Sequence, residues 1–277
     1  MKRWQSILVI FAFCVGCTDS HKEDQASPNV QPVGPAKLEP SVRDQKYHTE
    51  NTENILKIYL GTNLAAEIKG GKIISESSRF VAYNNGGSIE LMGKDGSKIY
   101  SCDSNCLVKV TNSFASVQTG AGDGVIFDAN SEIMFTSSTD EKTLYRISET
   151  FASVSSRSSA MLFRVGSRSS IYTCSDVACD ILVSNSFAAV VEQKLGTGSI
   201  IGSSGTPIYS FSVPGPVQIS NNFAAVTHEY SAVIYHSKKG SIFSASVPVR
   251  IELSDTTAVV SQGGVSSFKF NQNGNSF

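Results

Sequence analysis

The sequence predicts an all-β chain folded as a six-bladed β-propeller. Three observations carry that expectation. A phrase of about 36 residues recurs from Ile55 to the C-terminus, and a fixed period of this length marks a repeat architecture. Each copy holds four short β-type runs between Gly, Ser and Asn clusters, which is strand-and-turn chemistry. The two ends of the repeat region carry incomplete copies, as closure of a ring by its termini would require.

Each repeat opens with a short apolar strand ending in Ser or Thr: Ser75, Thr111, Ser148, Ser184, Ser220 and Ser254, at intervals of 36, 37, 36, 36 and 34 residues. Two or more residues later comes a second strand of the form Phe-Ala-x-Val. Its copies begin at Phe80, Phe114, Phe151, Phe187 and Phe223, and the last and weakest begins at Thr257. Third strands are expected at 88–92, 124–127, 160–163, 199–201, 232–235 and 265–270. Fourth strands centre on Ile99-Tyr100, Ile133-Met134, Ile171-Tyr172, Ile208-Tyr209 and Ile242-Phe243. A link of two or three residues reaches about 7–10 Å, too short to pass three strand spacings of about 4.8 Å. The first and second strands are therefore hairpin neighbours, and the blade boundary falls between a fourth strand and the next first strand.

The last copy stops before its fourth strand, and Ile58-Tyr59 stands alone before the first complete copy. Joining these fragments closes six blades of about 36 residues and four strands each, with N- and C-terminal strands sharing one blade and no free edge. An open solenoid would instead need terminal repeats with polar outer faces. The stretch 63–68 has the only helix-like spacing of the repeat region, and one helical turn is expected there. The evenly spaced phenylalanines pack between blades rather than forming an aromatic ligand ring.

The run Phe80-Val81-Ala82-Tyr83-Asn84-Asn85-Gly86-Gly87-Ser88-Ile89 resembles the repeat of propellers of the regulator-of-chromosome-condensation and β-lactamase-inhibitor-II type. The Trp-Gly that follows the third strand in that family is absent, and Trp4 is the sole Trp. The resemblance implies a propeller and no particular activity, since such folds host many functions.

Upstream, Met1-Lys2-Arg3 precedes an apolar run at 7–15. That run is too short to span a bilayer, which takes about 20 residues, and it reads as a secretory signal. It ends in Cys14-Val15-Gly16-Cys17, which resembles the lipobox of bacterial lipoproteins. The resemblance implies cleavage before Cys17, lipid attachment to it and a membrane-held protein. With Thr18 rather than Asp next in line, it implies the outer membrane of the cell envelope. Ordinary cleavage near Gly16, leaving Cys17 free, is the alternative. Residues 18–51 hold Pro28, Pro32, Pro35 and Pro40, many charges and a single Leu, too little apolar area to offset ordering. They are expected to be a disordered tether reaching roughly 30–35 Å. The domain plan is thus 1–17 signal and anchor, 18–51 tether and 52–277 propeller.

Formal charge is −1, and −3 once Lys2 and Arg3 are removed, which excludes a nucleic-acid binder that works through a basic surface. Four cysteines remain after Cys14 and Cys17. In an exported chain, their equivalent places after Ile-Tyr predict local disulfides Cys102–Cys106 and Cys174–Cys179. The rival four-cysteine zinc site would need both pairs to meet at one tetrahedral centre.

Catalytic signatures are absent: no Gly-x-Ser-x-Gly, phosphate loop or His-Glu-x-x-His occurs, and the one Cys-x-x-Cys, Cys14 to Cys17, lies in the signal segment. No cofactor or metal is expected. Second-to-third loops and fourth-to-first crossings emerge at one end and vary most between repeats, and variable loops on a rigid scaffold are where binding usually lives. The candidate partner-binding residues are Arg157, Glu192, Gln193, Lys194, His228, Glu229 and Tyr230. The expected function is a non-catalytic, lipid-anchored envelope module that binds another envelope or extracellular protein. A glycan-binding lectin or an envelope hydrolase using the same face is the alternative.

Overall fold

The computed structural model describes residues 45–277 except 53, 139–142, 176 and 213–214. The signal segment, Cys17 and residues 18–44 of the expected tether lie outside the described residues. The described chain is all-β, with 26 strands in seven antiparallel sheets. Sheet 1 holds β1 (Tyr47–Thr52), β2 (Ile55–Leu60) and β3 (Asn63–Lys69). Sheet 2 holds β4 (Lys72–Glu76), β5 (Val81–Asn85), β6 (Ser88–Met92) and β7 (Lys98–Asp103). Sheet 3 holds β8 (Leu107–Val110), β9 (Phe114–Gln118), β10 (Gly124–Asp128) and β11 (Ile133–Ser137). Sheet 4 holds β12 (Leu144–Ile147), β13 (Phe151–Ser155), β14 (Ser159–Arg164) and β15 (Tyr172–Ser175). Sheet 5 holds β16 (Cys179–Val183), β17 (Phe187–Glu192), β18 (Gly198–Gly202) and β19 (Pro207–Phe211). Sheet 6 holds β20 (Val217–Ile219), β21 (Phe223–Thr227), β22 (Ala232–His236) and β23 (Gly240–Ala245). Sheet 7 holds β24 (Arg250–Leu253), β25 (Thr257–Gln262) and β26 (Val265–Asn271). Each of the six repeats builds one blade-like meander, and sheet 1 precedes them.

The repeated hydroxyl closes the tight hairpin between first and second strands. Ser148 N–H donates to the Phe151 carbonyl (2.8 Å), while its Oγ accepts the Phe151 N–H (3.0 Å). The same pair recurs at Thr111/Phe114, Ser184/Phe187, Ser220/Phe223 and Ser254/Thr257. A Ser or Thr side chain is suited to this local bond. In sheet 2 the role falls to Ser77, which bonds Phe80 in this way, and not to Ser75. The register of β4 slips between Ile73 and Ser75, and that irregularity displaces the hydroxyl from its expected place.

The Ile-Tyr pairs also acquire a cause. Third and fourth strands share a register shift in sheets 1, 2, 3, 5 and 6. It leaves Ala65, Ile99, Met134, Ile208 and Ile242 without a partner across the pair. A bulge of this kind re-aims side chains, and Ile99 with Tyr100, and Ile242 with Phe243, both turn onto the core.

Packing is sheet on sheet. Phe80, Phe114, Phe151, Phe187 and Phe223 are at most 2% exposed. Each lies in a cluster shared with the following sheet, as Phe223 does with Ile251, Ala258 and Val260. Small Ala residues on the receiving strand admit the ring. The phenylalanines are therefore inter-sheet core, as expected.

Four expectations near the ends are corrected. Ile58-Tyr59 is not a fourth strand: it lies in β2, and Tyr47↔Leu60 matches Phe223↔His236 in register. Among the described residues sheet 1 is therefore a second, third and fourth strand. Residues 63–68 form β3 and no helical turn, because the unpaired Ala65 breaks the period of two and imitates helical spacing. Among the described residues the termini exchange no strand, since β2 is central in sheet 1 and β26 pairs with β25. Only Ser276, bridging Phe270, and Phe277 N–H, donating to the Lys269 carbonyl (3.0 Å), begin a fourth-strand pairing there. Finally, residues 47–51 of the expected tether belong to β1.

Candidate interaction face

The turns of a meander alternate between two ends. Turns joining first to second and third to fourth strands share one end, the turn end. Second-to-third loops and crossings share the other, the loop end.

The turn end is laced from sheet to sheet. Ser78 N–H donates to Asn112 Oδ1 (2.9 Å), Asn112 N–H to Glu149 Oε2 (3.1 Å) and Glu149 N–H to Asn185 Oδ1 (2.9 Å). Asn185 N–H donates to Asn221 Oδ1 (3.1 Å), and Asn221 N–H to Asp255 Oδ1 (2.8 Å). Five rungs thus tie six sheets, each amide bonding the equivalent side chain of the next repeat. Third-to-fourth turns add Arg79 to the Ala129 carbonyl (3.2 Å), Arg164 Nε to the Ser203 carbonyl (2.7 Å) and His236 Nε2 to the Gln272 carbonyl (2.9 Å). His236 Nδ1 accepts the Lys238 N–H (3.2 Å), so both ring nitrogens serve the turn and neither is placed as a catalytic base.

At the loop end, the named bonds of the candidate residues stay local. Glu192 accepts the Thr197 hydroxyl (3.1 Å), Gln193 N–H donates to the Ala178 carbonyl (2.9 Å) of the same sheet, and Tyr230 donates to its neighbour Glu229 (2.6 Å). Arg157 is exposed on the β13–β14 turn. Gln193 and Lys194 are exposed on the β17–β18 loop, and Glu229 and Tyr230 on the β21–β22 turn. His228 is half-buried, its ring 6.0 Å from that of Phe211. The seven residues occupy three successive sheets at one end. The Glu229 carboxylate pushes the Tyr230 hydroxyl pKa up.

Both expected disulfides form, with Cα atoms 6.4 Å apart in each. Cys102–Cys106 spans the crossing from sheet 2 to sheet 3, and Cys174–Cys179 that from sheet 4 to sheet 5. They staple neighbouring sheets at the end that the ladder does not reach. With all four sulfurs bonded in pairs, the zinc reading fails. Among the described residues no group of three or more His, Cys, Asp or Glu is arranged to hold a metal ion.

Apart from Tyr230, sequence reasoning missed the apolar component of this face. Leu107, Leu144, Leu195, Tyr230, Val247 and Val265 are all at least 42% exposed, and all sit at loop-end positions of sheets 3–7. Leu195, set between Lys194 and Gly196 in a loop, was the one legible signal. Two cavities open at this end. One, of about 590 Å³, is lined by Pro216, Gln218, Thr227 and residues 249–253. The other, of about 370 Å³, is lined by Asn105, Leu107 and residues 118–122.

No protein-family model matches the chain, and no curated protein matches it significantly. Several solved structures are similar in outline. BamB from Moraxella catarrhalis is 8% identical, with 82% of this chain and 88% of that one covered and a TM-score of 0.33. Hsv2 from Kluyveromyces lactis is 12% identical, covering 83% and 90%, with a TM-score of 0.37. Sqt1 from Saccharomyces cerevisiae is 10% identical, covering 81% and 79%, with a TM-score of 0.35. Likeness at this level assigns neither family nor activity.

Proposed function

We propose that the chain is a non-catalytic binding module that presents its loop end to another protein while a lipid on Cys17 holds it to the cell envelope. The observation that carries this reading is the asymmetry of the two ends. One is consumed by inter-sheet hydrogen bonds. The other offers the variable loops, six exposed apolar side chains and the two larger cavities, where the turn end exposes Leu64, Ile133 and Ile208 and one cavity of about 260 Å³. The described chain starts at Gln45 beside the turn end, where Tyr47 N–H donates to the Ser78 carbonyl (3.2 Å).

Mild cross-linking in native membranes, purification of the tagged protein and mass spectrometry test the reading. A stoichiometric protein partner, lost when Glu192, Lys194 and Tyr230 are replaced by Ala in a folded variant, is the expected outcome. Recovery of the chain alone would move the weight to a glycan or small substrate. Cys17→Ser should release the protein from the membrane fraction.

A further inference from the structure

First strands are edge strands: each pairs with its second strand and has an open side. An open side presents unpaired backbone groups that another chain can join. In several sheets a side chain from the preceding first strand fills it. Ser75 Oγ accepts the Val110 N–H (3.2 Å) at β8, and Arg146 Nη1, paired with Asp180 at 2.6 Å, donates to the Ile181 carbonyl (2.5 Å) at β16. At β24 the filler is an uncharged amide. Gln218 Nε2 donates to the Ile251 carbonyl (2.8 Å), and Gln218 Oε1 accepts the Leu253 N–H (3.3 Å).

A carbonyl at one residue and an amide two residues on are the groups that a neighbouring parallel strand engages. The side-chain amide of Gln218 thus stands in for a peptide group. It carries no charge to be stranded when displaced, unlike Arg146. Beside it lies the 590 Å³ cavity, which runs along residues 249–253, the length of a short strand. Arg250 and Glu252 point to one face of β24 at the period of two, 80% and 61% exposed and 2.9 Å apart. They form an alternating basic and acidic pair that an incoming strand of opposite alternation would match.

We infer that the open edge of β24 is the seat of an extended segment of the partner protein, which adds as a parallel strand in place of the Gln218 amide and sets an acidic residue by Arg250 and a basic one by Glu252. This is β-augmentation, in which main-chain bonds give affinity and alternate side chains give selectivity. It rests on the loop-end reading, since the cavity opens beside Pro216 and Thr227 at that end.

The test uses the full chain and two fluorescein-labelled probes, Ac-Val-Glu-Val-Lys-Val-NH2 and its charge-reversed form Ac-Val-Lys-Val-Glu-Val-NH2, read by anisotropy. The first should bind more tightly, by roughly five-fold or more, and should slow hydrogen exchange at Leu253. Gln218→Ala, which uncovers the edge, should tighten binding of the first probe several-fold. Arg250→Glu with Glu252→Arg, both at exposed positions, should invert the preference. The proposal is overturned if neither probe binds the wild type or Gln218→Ala, if the charge swap leaves the preference unchanged, or if Leu253 exchange is unaffected at saturation. A partner that is recovered from membranes and binds the Arg250/Glu252 swap as it binds the wild type would sink this edge and leave the loop-end reading standing. Self-association of Gln218→Ala without probe binding would assign the edge to a second copy and also overturn it.

Discussion

Ser153 is fully buried on β13, and neither its hydroxyl nor that of Ser155 has a hydrogen-bond partner. Register places Ala189 and Ala225 at the equivalent point of sheets 5 and 6. A buried hydroxyl without a partner costs about 1–3 kcal/mol. Ser153→Ala should therefore raise the unfolding free energy by roughly 1 kcal/mol in a urea titration; a loss of stability would show that the hydroxyl is satisfied. The opposite sign is expected at Phe187, which fills the contact with sheet 6. Phe187→Ala should cost about 3–5 kcal/mol. Tyr230→Ala, at 65% exposure, should stay within about 0.5 kcal/mol, so that any loss of partner binding there reports on the interface and not on folding.

Between elements, the contact of sheet 1 with sheet 2 holds two buried phenols. Tyr47 donates to the Gly93 carbonyl, and Tyr83 donates to Glu90 Oε2 (2.7 Å). Burial pushes Tyr47 up to about 12, and burial with the Glu90 bond raises Tyr83 further. Because both folded values lie above the ordinary 10, their contribution is whole below pH 10 and is lost as pH rises toward 12. Glu90 runs the other way. The Tyr83 hydroxyl lowers its pKa, so its contribution is present above the ordinary carboxylate range and fades as pH falls through it. Amide exchange in β1 and β2 should accelerate between pH 10 and 12 ahead of sheets 4–6, after correction for intrinsic rates; uniform acceleration would contradict this. The ladder gives a further expectation. Asn185→Ala removes the acceptor of the Glu149 N–H and should cost about 1–2 kcal/mol.

How much of this was legible is clearest element by element. The Phe-Ala-x-Val strands and their hydroxyl turns could be read because a tight hairpin and a close sheet contact leave few residue choices. β3 could not, because the unpaired Ala65 shifts its period, and nothing local announces a bulge. Tyr47 went unread as the sixth aromatic anchor because its flanking His48 and Glu50 replace the Ala and Val seen elsewhere. The loop end was located by strand counting, but its apolar residues and the Gln218 bridge depend on what neighbours leave uncovered.

At the scale of the molecule, the two disulfides hold sheets 2 to 3 and 4 to 5 at the loop end, across sequence separations of 4 and 5 residues. Loops this short restrict the unfolded chain little, so reduction should lower stability by less than about 2 kcal/mol while loosening the loops. A melting curve with and without reductant, beside protease sensitivity of residues 193–197 and 228–231, would check both parts. The ladder at the other end has a direction. Each rung runs from an amide in an earlier repeat to a side chain in a later one, from Ser78 through to Asp255. A ribosome delivers these repeats in the same order. The turn of a newly emerged repeat therefore waits, with its amide bonded only to water, until the following repeat has been synthesised and placed. Growth of the nascent chain would then resemble laying courses of brick, with one unfinished course always at the exit and each finished one locked by the course above it.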